Sequence, residues 1–279
     1  MTIIPTIPLH SGSIPLIGFG TWRLRGHECR RAVELALECG YRHIDTAAAY
    51  GNQAAVGEAL GAGIAPRSDV FLTTKVAPDR LRHDDLLAAA EEALRELSTE
   101  TIDLLLVHWP NADAPMAETF AAMGKLLDQG AIRNCGVSNF TAGRLAEAVA
   151  LGVAPVSVNQ VEYHPHLNQR RLHEACRGLG VALSSYSPFA KGRIPLDGRL
   201  AEVGARYGRS THQVALRWLF QRGIPAIPKA ASAEHIRENL GVTEWALSEE
   251  DFAVVDNLGH WDRLLPWEGS GPTDQADNG

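Results

Sequence analysis

The 279-residue sequence has only four cysteines, Cys29, Cys39, Cys135 and Cys176, and no two of them form a CxxC pair. They read as reduced packing residues of a cytoplasmic protein rather than as a disulfide framework. No run of Lys or Arg occurs, and the formal charge of −7 leaves no electrostatic footprint for nucleic acid. Long apolar runs are missing too. Residues 2–16 are broken by Pro5, Pro8, His10 and Pro15, so they make neither a signal-peptide core nor a membrane span. There is no internal repeat, no low-complexity tract and no linker between domains; only the tail after Trp267 has a loop composition. What remains is 45% apolar and 21% charged residues, an ordinary soluble composition with material for a sizeable core. One domain over residues 1–279 is expected, since single α/β barrels commonly run to about 250 residues.

Short apolar runs alternate along the chain with segments of helical period. Runs at 3–9 and 13–20 flank the turn signal His10-Ser11-Gly12 and predict an N-terminal hairpin. Eight strands are expected, at 16–21, 41–44, 70–74, 102–107, 131–137, 155–158, 181–185 and 224–227. Helices at 28–39, 54–60, 84–97, 115–129, 141–151 and 168–179 follow the first six in turn. Two more, at 200–207 and 212–222, precede strand eight; others at 233–240 and 248–258 follow it. The signals are Gly40 and Gly180 as stops, Asp84 and Asn168 as caps, and the capping boxes Ser210–Gln213 and Ser248–Asp251. Continuous apolar strands fit a parallel sheet covered on both faces. Eight strand–helix units with right-handed crossovers predict a closed (β/α)8 TIM barrel, with extra helices before strand eight and at the C-terminus. The alternative is an open doubly wound sheet. Gly18-Phe19-Gly20 hints at its dinucleotide turn, but the third glycine of that fingerprint falls on Arg23.

Catalytic groups of barrels stand at the C-terminal ends of strands. Those ends carry Trp22, Asp45 with Tyr50, Lys75, His108 with Trp109, Ser138 with Asn139, Gln160, Tyr186 and Lys229. Asp45, Lys75 and His108 end adjacent strands two, three and four, close enough to share one pocket. A carboxylate, an ammonium, an imidazole and a phenol together make a proton-transfer device. A fixed positive charge lowers a phenol's pKa, so Lys75, held by Asp45, is expected to make Tyr50 a usable general acid while His108 orients the substrate oxygen. On the other side, Ser138, Asn139 and Gln160 suit an amide and Tyr186 offers a flat face, the edge and face of a nicotinamide. Lys229 is placed to meet an anion near the helix that Ser232 begins.

These residues resemble the aldo-keto reductase superfamily. The matching stretches are GFGTW (18–22), HIDTAAAYGN (43–52), TTK (73–75), LLLVHWP (104–110), GVSNF (136–140), NQVEYHP (159–165), YSP (186–188) and IPK (227–229). They span nearly the whole chain, and the form is most similar to small bacterial members of the diketogluconate-reductase kind. The resemblance implies NADPH-dependent reduction of a small-molecule carbonyl by a monomer, with Asp45, Tyr50, Lys75 and His108 as catalytic tetrad. It implies a cofactor site of Gly20, Thr21, Asp45, Ser138, Asn139, Gln160, Tyr186, Ser187, Pro188, Phe189, Lys229, Ala230, Ser232, His235, Glu238 and Asn239. Trp22, Tyr50, His108, Trp109, Asn139 and the C-terminal segment, with Trp261 or Trp267, would meet the substrate. Three positions depart from the family's pattern: Ala230 replaces a serine, His235 an arginine for the adenosine 2′-phosphate, and Gln53 a glutamate. Histidine is mostly neutral at pH 7 and lacks arginine's fork, so NADH use is also open.

His43 is read as structural, turned by strand alternation away from Asp45. His164-Pro165-His166 has the look of a metal-binding pair of barrel hydrolases, without an obvious carboxylate and lysine set. Two rivals to a carbonyl reductase therefore stand: a metal-dependent hydrolase, and a subunit that senses NADPH without turnover. Trp218 and Phe220 read as core.

Overall fold

The computed structural model describes residues 4–259 together with Leu264. An antiparallel hairpin opens the chain, β1 (Thr6–Pro8) paired with β2 (Ser13–Pro15). Its Ile14 is buried against Phe71, Leu104, Leu106 and Val158, the inward residues near the start of their strands, and so plugs the N-terminal end of the barrel.

Seven parallel strands then stand side by side in chain order: β3 (Phe19–Gly20), β4 (His43–Asp45), β5 (Phe71–Val76), β6 (Leu104–Val107), β7 (Cys135–Ser138), β8 (Val156–Glu162) and β9 (Ala182–Tyr186). The eighth stave is reduced to a bridge at Ala226, parallel to Ile17 on one side and to Ser185 on the other. Gly18 N–H donates to Ala226 O, and Ile227 N–H to Ser185 O, so the ring closes. Pro225 and Pro228 flank this stave. Proline brings no N–H to a ladder, which explains why the run at 224–227 forms so little regular strand.

Helices α1 (Gly26–Cys39), α2 (Gln53–Gly61), α3 (His83–Glu96), α4 (Met116–Asp128), α5 (Ala142–Ala150) and α6 (Arg170–Gly178) separate the first seven staves. Then α7 (Gly198–Tyr207) and α8 (Thr211–Gln221) precede Ala226, and α9 (Ala233–Leu240) and α10 (Glu249–Asp256) follow. Their apolar faces meet the outside of the sheet; Trp218 is fully buried there and donates to Asp256. Two expected caps lie elsewhere. Asp84 falls in the first turn of α3, after Arg82. Asn168 yields the cap position to Gln169 because its own amide is engaged with Tyr163 and Asp256. The Ser210–Gln213 box forms in both directions.

Strand residues two apart share a face, so His43 and Asp45 both point into the barrel, contrary to the expectation for His43. Its Nε2 meets Thr73 Oγ1 at 3.1 Å, one layer beneath the Asp45–Lys75 contact. Room for the imidazole comes from Gly18, where a Cβ would lie 2.5 Å from Nδ1.

Candidate active site

The ends of β4, β5 and β6 bring Asp45, Lys75 and His108 to the C-terminal mouth of the barrel. Lys75 Nζ donates to Asp45 Oδ1 at 2.6 Å and to Thr46 O at 2.8 Å, and both charged side chains are 1% exposed. Asp45 Oδ2 accepts from Gln160 Nε2 at 2.9 Å. Burial lowers the Lys75 pKa, and the adjacent carboxylate opposes that and holds the charge. His108 is pushed down to about 3, by burial first and by Lys75 second, so its imidazole is neutral.

Tyr50 reaches the same place on a single turn, Ala48–Tyr50, that ends at the left-handed Gly51. Its ring lies edge-on to His108 at 5.7 Å, with Lys75 Nζ 5.1 Å from its centroid. Burial, and then the Asp45 charge, raises the Tyr50 pKa well above its usual value. The sign is opposite to the sequence-based expectation. Burial decides the sign by penalising the phenolate, and the Asp45 charge adds to it, so the phenol beside this buried ion pair does not meet a lone positive charge.

What fixes this turn is a residue the sequence did not single out. Asn52 is 2% exposed; its Nδ2 donates to Thr21 O and Leu24 O, at 2.9 and 3.0 Å, and its Oδ1 accepts from Thr46 Oγ1 at 2.7 Å. One amide thus ties the loop of Trp22 to the loop of Tyr50. Arg25 donates to Tyr50 O from the outside. An asparagine in a turn-rich stretch carries no sequence signal of such a bridge.

The neutral polar set forms a network of its own. Ser138 Oγ donates to Gln160 O at 2.7 Å, Asn139 Nδ2 donates to His108 O and Ser138 Oγ, and Tyr186 OH donates to Asn139 Oδ1 at 2.7 Å. Asn139 adopts φ 65°, a left-handed value asparagine tolerates. Gln160 lies inside β8, which runs on to Glu162, and is not the strand's end. With Nε2 given to Asp45, its Oε1 is left to accept a donor such as a carboxamide N–H.

Above these residues opens a cavity of about 500 Å3, lined among others by Trp22, Tyr50, His108, Trp109, Tyr186 and Lys229, within the ordinary range for small-ligand sites. Gly20, Asp45, Ser138, Asn139, Gln160, Ser187, Pro188 and Phe189 also line it, and so do Ala49, Lys191, Gly192 and Ile227, which the sequence did not flag. Thr21 is buried behind it, donating to Asp45 O. Ala230, Ser232, His235, Glu238 and Asn239 are not among its lining residues. Ser232 caps α9 by accepting from His235 N–H, and Asn239 is 4% exposed. An aromatic face, amide acceptors and an exposed lysine fit a nicotinamide dinucleotide in chemistry. Trp261 and Trp267 lie outside the described residues.

The HxH pair is dispersed. His164 Nε2 meets Glu162 Oε1 at 3.1 Å, while His166 meets Gly259 O and Asp197, both at 3.0 Å. Among the described residues no group of three or more His, Cys, Asp or Glu could hold a metal ion, and no helix is long and apolar enough to cross a membrane.

Residues 16–260 match the Aldo/keto reductase family. An aldo-keto reductase of Mycolicibacterium smegmatis is 38% identical over 265 residues, 94% of this chain and 96% of that protein. A glyoxal reductase of Bacillus subtilis is 36% identical over 263 residues, 94% of this chain and 95% of that protein. A solved structure provisionally described as a 2,5-diketo-D-gluconic acid reductase B has a TM-score of 0.91 at 42% identity, covering 95% of this chain and 97% of its own.

Proposed function

This chain belongs to the aldo/keto reductase family, a family of carbonyl-reducing oxidoreductases, and we propose that it reduces an aldehyde or ketone with NADPH, with Tyr50 as the proton donor. The observation that carries this reading is the buried Asp45–Lys75 pair beside Tyr50 and His108. A bound nicotinamide would supply the hydride for the carbonyl carbon. Tyr50 stays protonated at neutral pH, because burial and Asp45 raise its pKa, and it hands its proton to the carbonyl oxygen as negative charge develops there. Lys75 stabilises the phenolate that forms. His108, neutral and edge-on to Tyr50, donates its ring N–H to the same oxygen and fixes its direction.

Ser138, Asn139 and Gln160 would hold the carboxamide and Tyr186 the ring face. Gly20, Thr21 and the 187–189 loop would flank the dinucleotide. Lys229, Ser232 and His235 would face its phosphates, with Ala230, Glu238 and Asn239 toward the adenosine. His235 in place of an arginine weakens the preference for NADPH over NADH. Trp22, Trp109 and Asn139 would meet the substrate. Glyoxal is uncharged and diketogluconic acid is an anion, so the named relatives divide on substrate charge. A single-domain, monomeric, cytoplasmic enzyme completes the reading; the free cysteines support the reducing compartment.

The test is Tyr50→Phe, which removes one oxygen. NADPH binding by fluorescence should stay within about twofold while kcat falls by about 10²–10⁴, the usual worth of general acid catalysis. An undiminished kcat refutes the assignment.

A further inference from the structure

The opposite end of the barrel holds a second cavity, of about 400 Å3, within the range of small-ligand sites. It lies where four adjacent staves begin. Arg42 precedes β4, Phe71 starts β5, Asp103 precedes β6, and Arg133 with Asn134 precedes β7. The N-terminal hairpin makes the facing wall through Ser11, Gly12 and Ser13. Asn134 holds that wall in place. It is 1% exposed; its Oδ1 accepts from Ser11 N–H at 2.9 Å, and its Nδ2 donates to Ser11 O at 2.8 Å and to Asp103 O at 3.1 Å. Nothing in carbonyl reduction uses this space.

The acids there are answered before any ligand arrives. Asp103 is buried, and its Oδ2 accepts from Arg67 Nη2 at 2.9 Å and from Leu72 N–H at 3.0 Å, while Oδ1 stands 3.5 Å from Arg133 Nε. Asp69 is exposed at the rim and accepts from Ser68 Oγ at 3.2 Å. With Arg67 behind Asp103, the guanidinium groups of Arg42, Arg67 and Arg133 outnumber these two carboxylates, in a protein of formal charge −7. Arginine donors are also left over. Arg42 spends Nη1 on Leu37 O and Tyr41 O, at 3.1 and 2.7 Å, and among the described residues it forms no ion pair. Among the same residues Arg133 has the 3.5 Å contact with Asp103 and no side-chain hydrogen bond. Ser11 and Ser13 add hydroxyl donors on the hairpin side. The floor is apolar, with Pro15, Val70 and Phe71 all buried.

We propose that this cavity binds a phosphate monoester, its dianion between Arg42 and Arg133 and its carbon part over Phe71. The two arginines reach in from β4 and β7, with two staves between them, and so meet a ligand from different sides. A tetrahedral phosphate offers oxygens to both, whereas one planar carboxylate presents a single edge to a single fork. Asp103, paired with Arg67, aims Arg133 at the ligand instead of repelling it. A ligand held there ties the hairpin to the staves. The N-terminal face of a barrel serves stability, while reactions run at the other end. Occupancy therefore raises the melting temperature and leaves kcat alone.

The experiment titrates the protein calorimetrically with phenyl phosphate, inorganic phosphate and succinate at fixed ionic strength and with excess NADPH. Wild type, Arg133→Gln, Arg42→Lys and Lys229→Met are compared. Phenyl phosphate should bind the wild type saturably and raise its Tm. Arg133→Gln should weaken that binding by about tenfold, the scale of one charge-assisted contact, with kcat for carbonyl reduction unchanged. Arg42→Lys keeps a donor for Leu37 O but loses the fork, and should weaken binding similarly. Lys229→Met should bind as the wild type does. The inference is overturned if neither phosphate binds saturably, or if Arg133→Gln binds as tightly as the wild type. Binding lost in Lys229→Met also overturns it, since the anion then sits at the C-terminal mouth. Succinate bound as tightly as phenyl phosphate refutes the phosphate assignment. Inorganic phosphate bound as tightly as the ester upholds the site and makes the free ion its ligand. Should Arg42→Lys fail to fold, Arg133→Gln decides alone, because its side chain is 53% exposed.

Discussion

The Asp45–Lys75 pair should behave as a functional device that the fold tolerates, and a double-mutant cycle can show this. Both side chains are 1% exposed and 2.6 Å apart. In Lys75→Met the Asp45 carboxylate stays buried with the Gln160 amide as its remaining side-chain donor. In Asp45→Asn the ammonium keeps the Thr46 carbonyl and an amide oxygen. Breaking a buried pair from one side costs about 3–5 kcal/mol, whereas replacing both partners by neutral groups is often neutral. The singles should therefore lose about 3–5 kcal/mol each in urea unfolding, and the double variant Asp45→Asn/Lys75→Met about 0–1 kcal/mol. The coupling energy is then several kcal/mol, far above the few tenths expected of independent sites. Carbonyl reduction should be lost in all three, so stability and activity part company in the double variant. A single that fails to fold while the double folds points the same way. Additive losses in the double would refute the reasoning, because the charges would then not be acting on each other.

Three further outcomes are expected. His235→Arg should raise the NADPH-to-NADH ratio of kcat/KM by about tenfold, since a bidentate guanidinium replaces a mostly neutral ring; steady-state kinetics with both cofactors checks this. Asn52→Asp keeps the shape of the amide but faces Thr21 O and Leu24 O with negative oxygen, so kcat should fall by about 10²-fold through displacement of Tyr50, while NADPH affinity measured by fluorescence changes little. His43, held at about 4 by burial, binds no proton in the folded state where the unfolded chain does, from pH 6.5 downward. Its contribution is therefore complete above 6.5 and falls as the pH drops toward 4, by about 2 kcal/mol between pH 7 and pH 5. Urea midpoints of His43→Asn should flatten over that interval relative to wild type.

The alternation of staves and helices was legible because apolar period and glycine stops act locally. Gly40, at φ 106°, ends α1 where its sequence position says it should. Less was legible where one side chain could serve two masters. Asn168 is a good cap by type, yet Tyr163 and Asp256 take its amide, and only the folded chain brings α10 near it. The eighth stave failed to lengthen because its flanking prolines cannot donate. The site residues were readable as strand ends, but the sign of the Tyr50 shift was not: it depends first on how deeply the phenol is buried and then on the Asp45 charge beside it, and neither is visible before the chain folds. Lys191 was invisible as well. A lysine in a loop is ordinary in sequence, and only its left-handed backbone and the Trp22 ring give it a direction.

The short bridge at Ala226 bears on how the chain must be made. Ile17 waits for a partner about 200 residues downstream, a closure whose entropic cost grows only slowly with length but whose contacts arrive last. Synthesis delivers Asp45, Tyr50, Lys75 and His108 long before that partner exists. A chain stopped short of Ala226 would own every reacting group and still leave β3 and β9 as two bare edges, each a template for a neighbouring chain. Truncation there should produce insoluble protein rather than a slow enzyme, and the seam, more than the site, sets how late in its own synthesis this molecule becomes safe.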